Sequence, residues 1–414
     1  MYRKEDKLIQ SNKTIIHLRE ELLWYLVLIC LLSVTLLVQY IAKSKALDIT
    51  NFYIPDSNTY EIRVFSSQDL EGFSAKLYNN FNKILYSISS QSFLWFNASL
   101  LFISLHLCRD VFKHVSKASI TYARLAIVVN PYILIGAIGS NKETILTFIC
   151  LLFWACFLNI RGTIRFPISV LVLLLSLAIR PVVCVPLVIS ITIYTFTKTI
   201  KNPGKIILKI LIIYFIANSI PFVNELLASV HDDNLNAFTE SRIYDVAVYL
   251  NSFSQHPIFQ YPAFIIKSII LLFGFIIRPI QLFAQPLPLL DIGYSFLAYL
   301  FFPFNLSLVI TLLTNQWNKT KIIDYSITNN LLVFVSVSYL TIILNPILTF
   351  RYLLPYVPFV FAIFPVINIK FKKIVLITSC LCCLFGILFS VNTNANSDFY
   401  FKDYDALPKF IEWL

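Results

Sequence analysis

The chain has 414 residues, of which 58% are hydrophobic and 13% charged, with a mean hydropathy of +0.75. A soluble domain is about 25% charged, so this balance excludes a string of soluble domains and points to a polytopic helical membrane protein. The net charge of +11 sits in short basic clusters between apolar runs, which is how topogenic charge is distributed, and it does not describe a nucleic-acid interface.

In chain order, residues 1–21 carry Arg3, Lys4, Lys7, Lys13 and Arg19 ahead of an apolar run from Leu22 to about Ala42. The stretch is too polar for a cleaved leader, so the run predicts an anchor with a cytoplasmic N-terminus. Segment 43–90 then falls outside, and FSAKLYNNFNKILYSI within it predicts an amphipathic helix lying along the membrane surface. Spans follow at about 91–108, 119–138 and 143–160.

Residues 166–198 are too long for one upright helix at 1.5 Å per residue, and Arg180-Pro181 divides them into two short spans meeting at the outer face. A span at about 206–222 leads to an extracytoplasmic stretch, 223–290. Its second part, 258–290, must cross an even number of times if NQWNKTK and KFKK are to stay inside. That predicts a re-entrant or outer-surface helix beside a cavity. Spans at about 292–313, 329–349, 352–368 and 374–391 precede an extracytoplasmic tail, 392–414. The expected architecture is all-α: one transmembrane domain of about 11 helices plus the re-entrant segment.

The eight cysteines lie in or beside apolar runs, with only Cys380 and Cys383 at CxxC spacing and those inside one such run, which reads as packing and indicates neither a disulfide framework nor a zinc site. His231 with Asp232 and Asp233 lacks a suitably spaced second histidine and reads as a solvated loop. No metal or other cofactor is expected.

The unusual polar residues gather on one side of this topology. Asp56, Glu61, Lys142, Glu143, Arg180, Arg278, Asp291 and Arg351 all map to the outer face or to outer ends of spans. Ionisable groups near membrane depth are costly and mark functional sites. A single arginine there snorkels to the headgroups, but Arg180, Arg278 and Arg351 on one face point to an anion site. Guanidinium groups bind phosphate through paired charge-assisted hydrogen bonds, and cations that neutralise a departing diphosphate promote glycosyl transfer. Such a reaction needs a base, for which Asp56, Glu61 and Glu143 are the candidates, with Asp56 the best single one. Asp56 lies in the turn-forming PDSNTY, where a plain loop acid is the alternative. Lys142-Glu143 also suits an ordinary helix start capped by Ser140 or Asn141. Among the tyrosines, most belong to interfacial belts; Tyr352 and Tyr356, which flank Pro355, are among those that could stack on a sugar.

The order of these features resembles a known group. A first span is followed by an external PDSxxY-like cluster, then by Asn-Pro ending an outward span and Lys-Glu at the next helix start; Arg-Pro between short spans and a late FRYLLPYVP complete it. This layout resembles the bacterial O-antigen and capsular repeat-unit polymerases and, more distantly, the GT-C membrane glycosyltransferases. The resemblance implies transfer of a growing chain between undecaprenyl-diphosphate-linked oligosaccharides at the outer face of the inner (cytoplasmic) membrane, without metal. Asp56 and Glu143 would then be catalytic, Arg180, Arg278 and Arg351 would hold diphosphate, and Tyr60, Glu61, Lys142 and Tyr352 would meet sugar. A chain-length regulator protein becomes a candidate partner beside the lipid bilayer. A GT-C-like transferase of single sugars and a lipid-linked oligosaccharide flippase are the competing readings. The one-sided charge and the absence of an internal repeat count against transport.

Overall fold

The computed structural model describes residues 2–44, 73–89, 91–197, 200–218, 257–272, 289–318, 320–343 and 350–392. Among them the chain is almost entirely helical, with an isolated bridge between Trp317 and Ile367 and no strand. The helices are α1 (Tyr2–Ser44), α2 (Phe73–Ile88), α3 (Ser92–Phe112), α4 (Lys117–Val128), α5 (Pro131–Gly136), α6 (Lys142–Asn159) and α7 (Arg165–Ile179). They continue with α8 (Pro181–Thr197), α9 (Pro203–Asn218), α10 (Pro257–Leu272), α11 (Leu289–Thr314) and α12 (Tyr325–Ile343). Then come a 3-10 segment (Phe350–Tyr356), α13 (Val357–Ile363), a short 3-10 turn (Phe364–Val366) and α14 (Ile369–Asn392).

Four helical stretches, Arg19–Ala42, Ser92–Phe112, Lys142–Asn159 and Tyr325–Ile343, are long and apolar enough to cross a membrane. They differ in what surrounds them. In the most apolar window of α12, 83% of residues are buried inside the protein, against 17% in α1. Hence α12 is a central element and α1 a peripheral one, whose exposed Leu22, Leu23, Leu26, Val34 and Leu37 suit contact with acyl chains. The centre is aromatic. Trp154 of α6 meets Phe334 of α12 at 5.5 Å between ring centroids, Phe334 meets Phe359 of α13 at 5.0 Å, and Phe359 meets Phe112 of α3 at 5.4 Å. These edge-on contacts lock α3, α6, α12 and α13 into one body, to which α8 adds itself along α12.

Proline decides several helix ends. Residue 180 is extended (φ −154°, ψ 101°) between α7 and α8, as the residue before a proline prefers to be, so the expected division there is present. The expected continuous span over 119–138 is not. Val129 and Asn130 interrupt it, and Asn130 accepts hydrogen bonds from the backbone N–H groups of Tyr132 and Ile133 while Pro131 opens α5. Asparagine at the cap and proline at the first helical position start a new helix more readily than they continue an old one. The expected span at 352–368 is likewise a composite of 3-10 segment, α13 and 3-10 turn. Pro355, Pro358 and Pro365 each withdraw a backbone donor, which favours short tight turns over a regular α-helix. The amphipathic helix expected in 43–90 forms as α2, but it also buries Tyr78, Asn79, Asn82 and Leu85 against protein, chiefly α3 and α7.

Candidate functional site

The turn between α5 and α6 is fixed from three sides. Asn97 of α3 donates to the Gly139 carbonyl at 2.8 Å, and Asn141 caps α6 by accepting from the Glu143 N–H at 3.0 Å. Tyr78 of α2 shares a 2.9 Å hydrogen bond with the Ser140 hydroxyl, and the Lys142 ammonium lies 4.7 Å from the centre of the Tyr78 ring. The capping role foreseen for Ser140 or Asn141 therefore belongs to Asn141, which leaves the Glu143 side chain for other work.

That side chain is buried, at 1% exposure. A carboxylate in the first turn of a helix is favoured by the helix dipole, but burial of the charge demands a partner. Arg180 supplies it, with Nη2 3.0 Å from Glu143 Oε1. The break between α7 and α8 is what lets the arginine reach: its backbone N–H closes α7 on the Ser176 carbonyl at 2.8 Å, and the extended residue turns the side chain toward α6. The other face of the guanidinium is covered by Tyr352 of the 3-10 segment, whose ring centre lies 4.9 Å away, a cation–π distance. The proline-rich composite and the broken helix thus converge on one carboxylate.

The structure therefore brings together four residues singled out from the sequence: Lys142, Glu143, Arg180 and Tyr352. Tyr352 faces Arg180, and Lys142 faces Tyr78. Asp56, Tyr60, Glu61 and Arg278 lie outside the described residues, as does the side chain of Arg351, whose backbone belongs to the 3-10 segment. Among the described residues, no group of three or more His, Cys, Asp or Glu is placed to hold a metal ion. Tyr78 and Asn97 were not foreseen, because a tyrosine or asparagine in an amphipathic or apolar helix gives no local signal of a distant partner.

A second polar cluster sits at the other end of α3. Arg124 of α4, 2% exposed, donates from Nε to the Leu105 carbonyl at 3.0 Å and from Nη2 to Glu21 of α1. Arg109 and His106 stand 3.7 and 3.8 Å from the same Glu21 carboxylate. Asn97 and Arg109 are twelve residues apart on one helix, so the two clusters are separated by about 18 Å along its axis. Arg124, like Arg180, is an arginine inside an apolar run, but it does not belong to the outer-face group that the charge pattern sets apart.

The close approach at Gly136 ties the turn to the cap. A Cβ there would lie 1.7 Å from Asn141 Nδ2 and 2.8 Å from its Cγ, so any larger residue evicts the capping amide. Gly136→Ala is expected to lower stability by about 1–2 kcal/mol, the loss of one good N-cap. Thermal unfolding of the detergent-purified protein checks this, and an unchanged melting temperature would show that the cap is expendable.

No protein-family model, no curated protein and no solved structure matches this chain. The class that fold and site define is accordingly a helical protein with candidate membrane-spanning helices and a buried Glu143–Arg180–Tyr352 constellation at one end of the bundle.

Proposed function

We propose that the chain is a glycosyltransferase of the bacterial inner membrane that polymerises undecaprenyl-diphosphate-linked oligosaccharide repeat units of a surface polysaccharide. It crosses the membrane about 11 times by the charge rule, with a cytoplasmic N-terminus and the Glu143 end outside. The observation that supports the reading is the pairing of the buried Glu143 carboxylate with Arg180, 3.0 Å apart, at the end of the bundle where charge topology puts the outer face.

The chemistry needs two groups side by side. A hydroxyl of the incoming unit attacks the anomeric carbon of the growing chain. The bond from that carbon to the diphosphate oxygen breaks, and the electron pair leaves with the diphosphate. Glu143 accepts the hydroxyl proton, and Arg180 holds the departing diphosphate. A guanidinium presents five N–H donors in a planar fork, so it can serve a carboxylate on one edge and a phosphate oxygen on another. Tyr352 steadies it from the face. No metal is required, because the cationic side chains neutralise the leaving group.

Deletion of the gene tests this. The surface polysaccharide is expected to collapse to a core bearing a single repeat unit. Loss of one sugar from within the unit would instead identify a single-sugar transferase. Loss of polymer with lipid-linked units retained inside would identify a flippase. Full-length chains in the deletion strain would remove the proposal altogether.

A further inference from the structure

Glu143 is 1% exposed, so no substrate hydroxyl reaches its carboxylate in the arrangement seen here. Some element must move, and the element lying over the turn that carries it is α2. Tyr78 of α2 is bonded to Ser140 and lies under Lys142, and Tyr86 packs against Ile138. Tyr78, Asn82 and Tyr86 are spaced i, i+4, i+8 and form one face of the helix, the face that meets residues 138–142.

That face contains groups out of keeping with a permanent interior. Asn82 is fully buried, yet among the described residues neither its amide nitrogen nor its amide oxygen has a hydrogen-bond partner, and the Oδ1 of Asn79, one turn earlier, has none. Gln39 of α1 is also fully buried, and neither of its amide atoms has a hydrogen-bond partner among the described residues. Gln39 is three residues beyond Leu36, which packs on the same Ile138. Each unpaired buried polar group costs about 1–3 kcal/mol, so the closed arrangement is under tension along this seam. Interhelical hydrogen bonds, the usual reason for amides between membrane helices, are not made among the three.

We propose that α2 is a saccharide-binding lid: it closes over the Glu143 turn, and on opening the amides of Gln39, Asn79 and Asn82 receive the hydroxyls of the acceptor sugar. The inference rests on the polymerase reading. An amide offers a donor and an acceptor a short distance apart, which matches two neighbouring hydroxyls, and Tyr78 and Tyr86 add ring faces. Uncharged amides suit a neutral polyol, while the diphosphate belongs to Arg180. The opposite face of α2 fits a hinged element at a membrane surface. It exposes Leu77, Ile84 and Ile88 beside Lys76 and Lys83, apolar groups for the acyl boundary and cations for headgroups.

The test uses the full chain in detergent and the free repeat-unit oligosaccharide released by mild acid from the host's lipid-linked precursor. Gln39→Leu and Asn82→Leu are each expected to weaken oligosaccharide binding about tenfold by calorimetry, one hydrogen-bonded pair's worth, with an unchanged or raised melting temperature. A lowered melting temperature in either variant would make the amides interhelical glue and overturn the proposal, as would unchanged affinity. Tyr78→Phe, which removes a bond of the closed state, is expected to tighten binding several-fold; weaker binding would refute the lid. Chain extension by membranes of the deletion strain is measured alongside. Full extension there removes the polymerase reading, whereas loss there with wild-type affinity in the leucine variants removes only the lid.

Discussion

Glu143→Gln is expected to reduce chain extension by isolated membranes about 10²- to 10⁴-fold, the usual contribution of a positioned general base, while the protein still inserts and purifies. The glutamine keeps the shape of the side chain and its contact with Arg180 but cannot take a proton. Arg180→Ala is expected to abolish extension as well, together with Arg278→Ala and Arg351→Ala if all three arginines hold diphosphate. A plainer account treats Glu143–Arg180 as a structural ion pair, and single variants do not separate the two. Removing one partner of a buried pair costs about 3–5 kcal/mol whatever its role. The double variant Glu143→Gln with Arg180→Met does separate them, because replacing both charges with neutral groups of similar size is close to neutral for stability. It is expected to melt near the wild type and extend no chains. A double variant that extends chains normally would reduce the pair to scaffolding.

How far the sequence reveals this site depends on what each residue depends on. The break at Arg180 is legible because it follows from a local rule about the residue before proline. Helix α6 is legible for the same reason, since Asn141 and Glu143 are ordinary start signals. The break at Asn130 follows from an equally local rule, yet hydropathy averaged over 119–138 conceals it, because composition does not register whether the backbone is continuous. Tyr352 could be placed beside a site but not given a partner. Its position over Arg180 depends on the packing of the 3-10 segment against α6, two elements separated by nearly two hundred residues of chain. The amides of α2 were the least legible. Asn79 and Asn82 look like the polar side of an amphipathic helix, and only tertiary packing turns that side inward.

The opposite cluster predicts a different kind of loss. Arg124→Ala is expected to destabilise the protein by about 3–5 kcal/mol, because it leaves the Glu21 carboxylate partly buried with weaker partners and frees the Leu105 carbonyl. A destabilisation of that size corresponds to a fall of roughly 3–6 °C in melting temperature for a chain of this length. The effect should concentrate in α1. That helix buries little of its apolar stretch, and its residue Glu21 is held by Arg124, with Arg109 and His106 nearby. Trypsin cleavage within the first 21 residues, which contain several lysines and arginines, is the sensitive readout. It should accelerate in Arg124→Ala and return to the wild-type rate in the double variant Arg124→Leu with Glu21→Leu, where an apolar pair replaces the ionic one. Because this cluster lies about 18 Å along α3 from the Glu143 turn, the same double variant should also recover chain extension. The neutral double at Glu143 and Arg180 should recover only stability. If the leucine pair restored stability but left extension abolished, Arg124 would have to act on the reaction itself, and the assignment of one end to folding and the other to chemistry would fail.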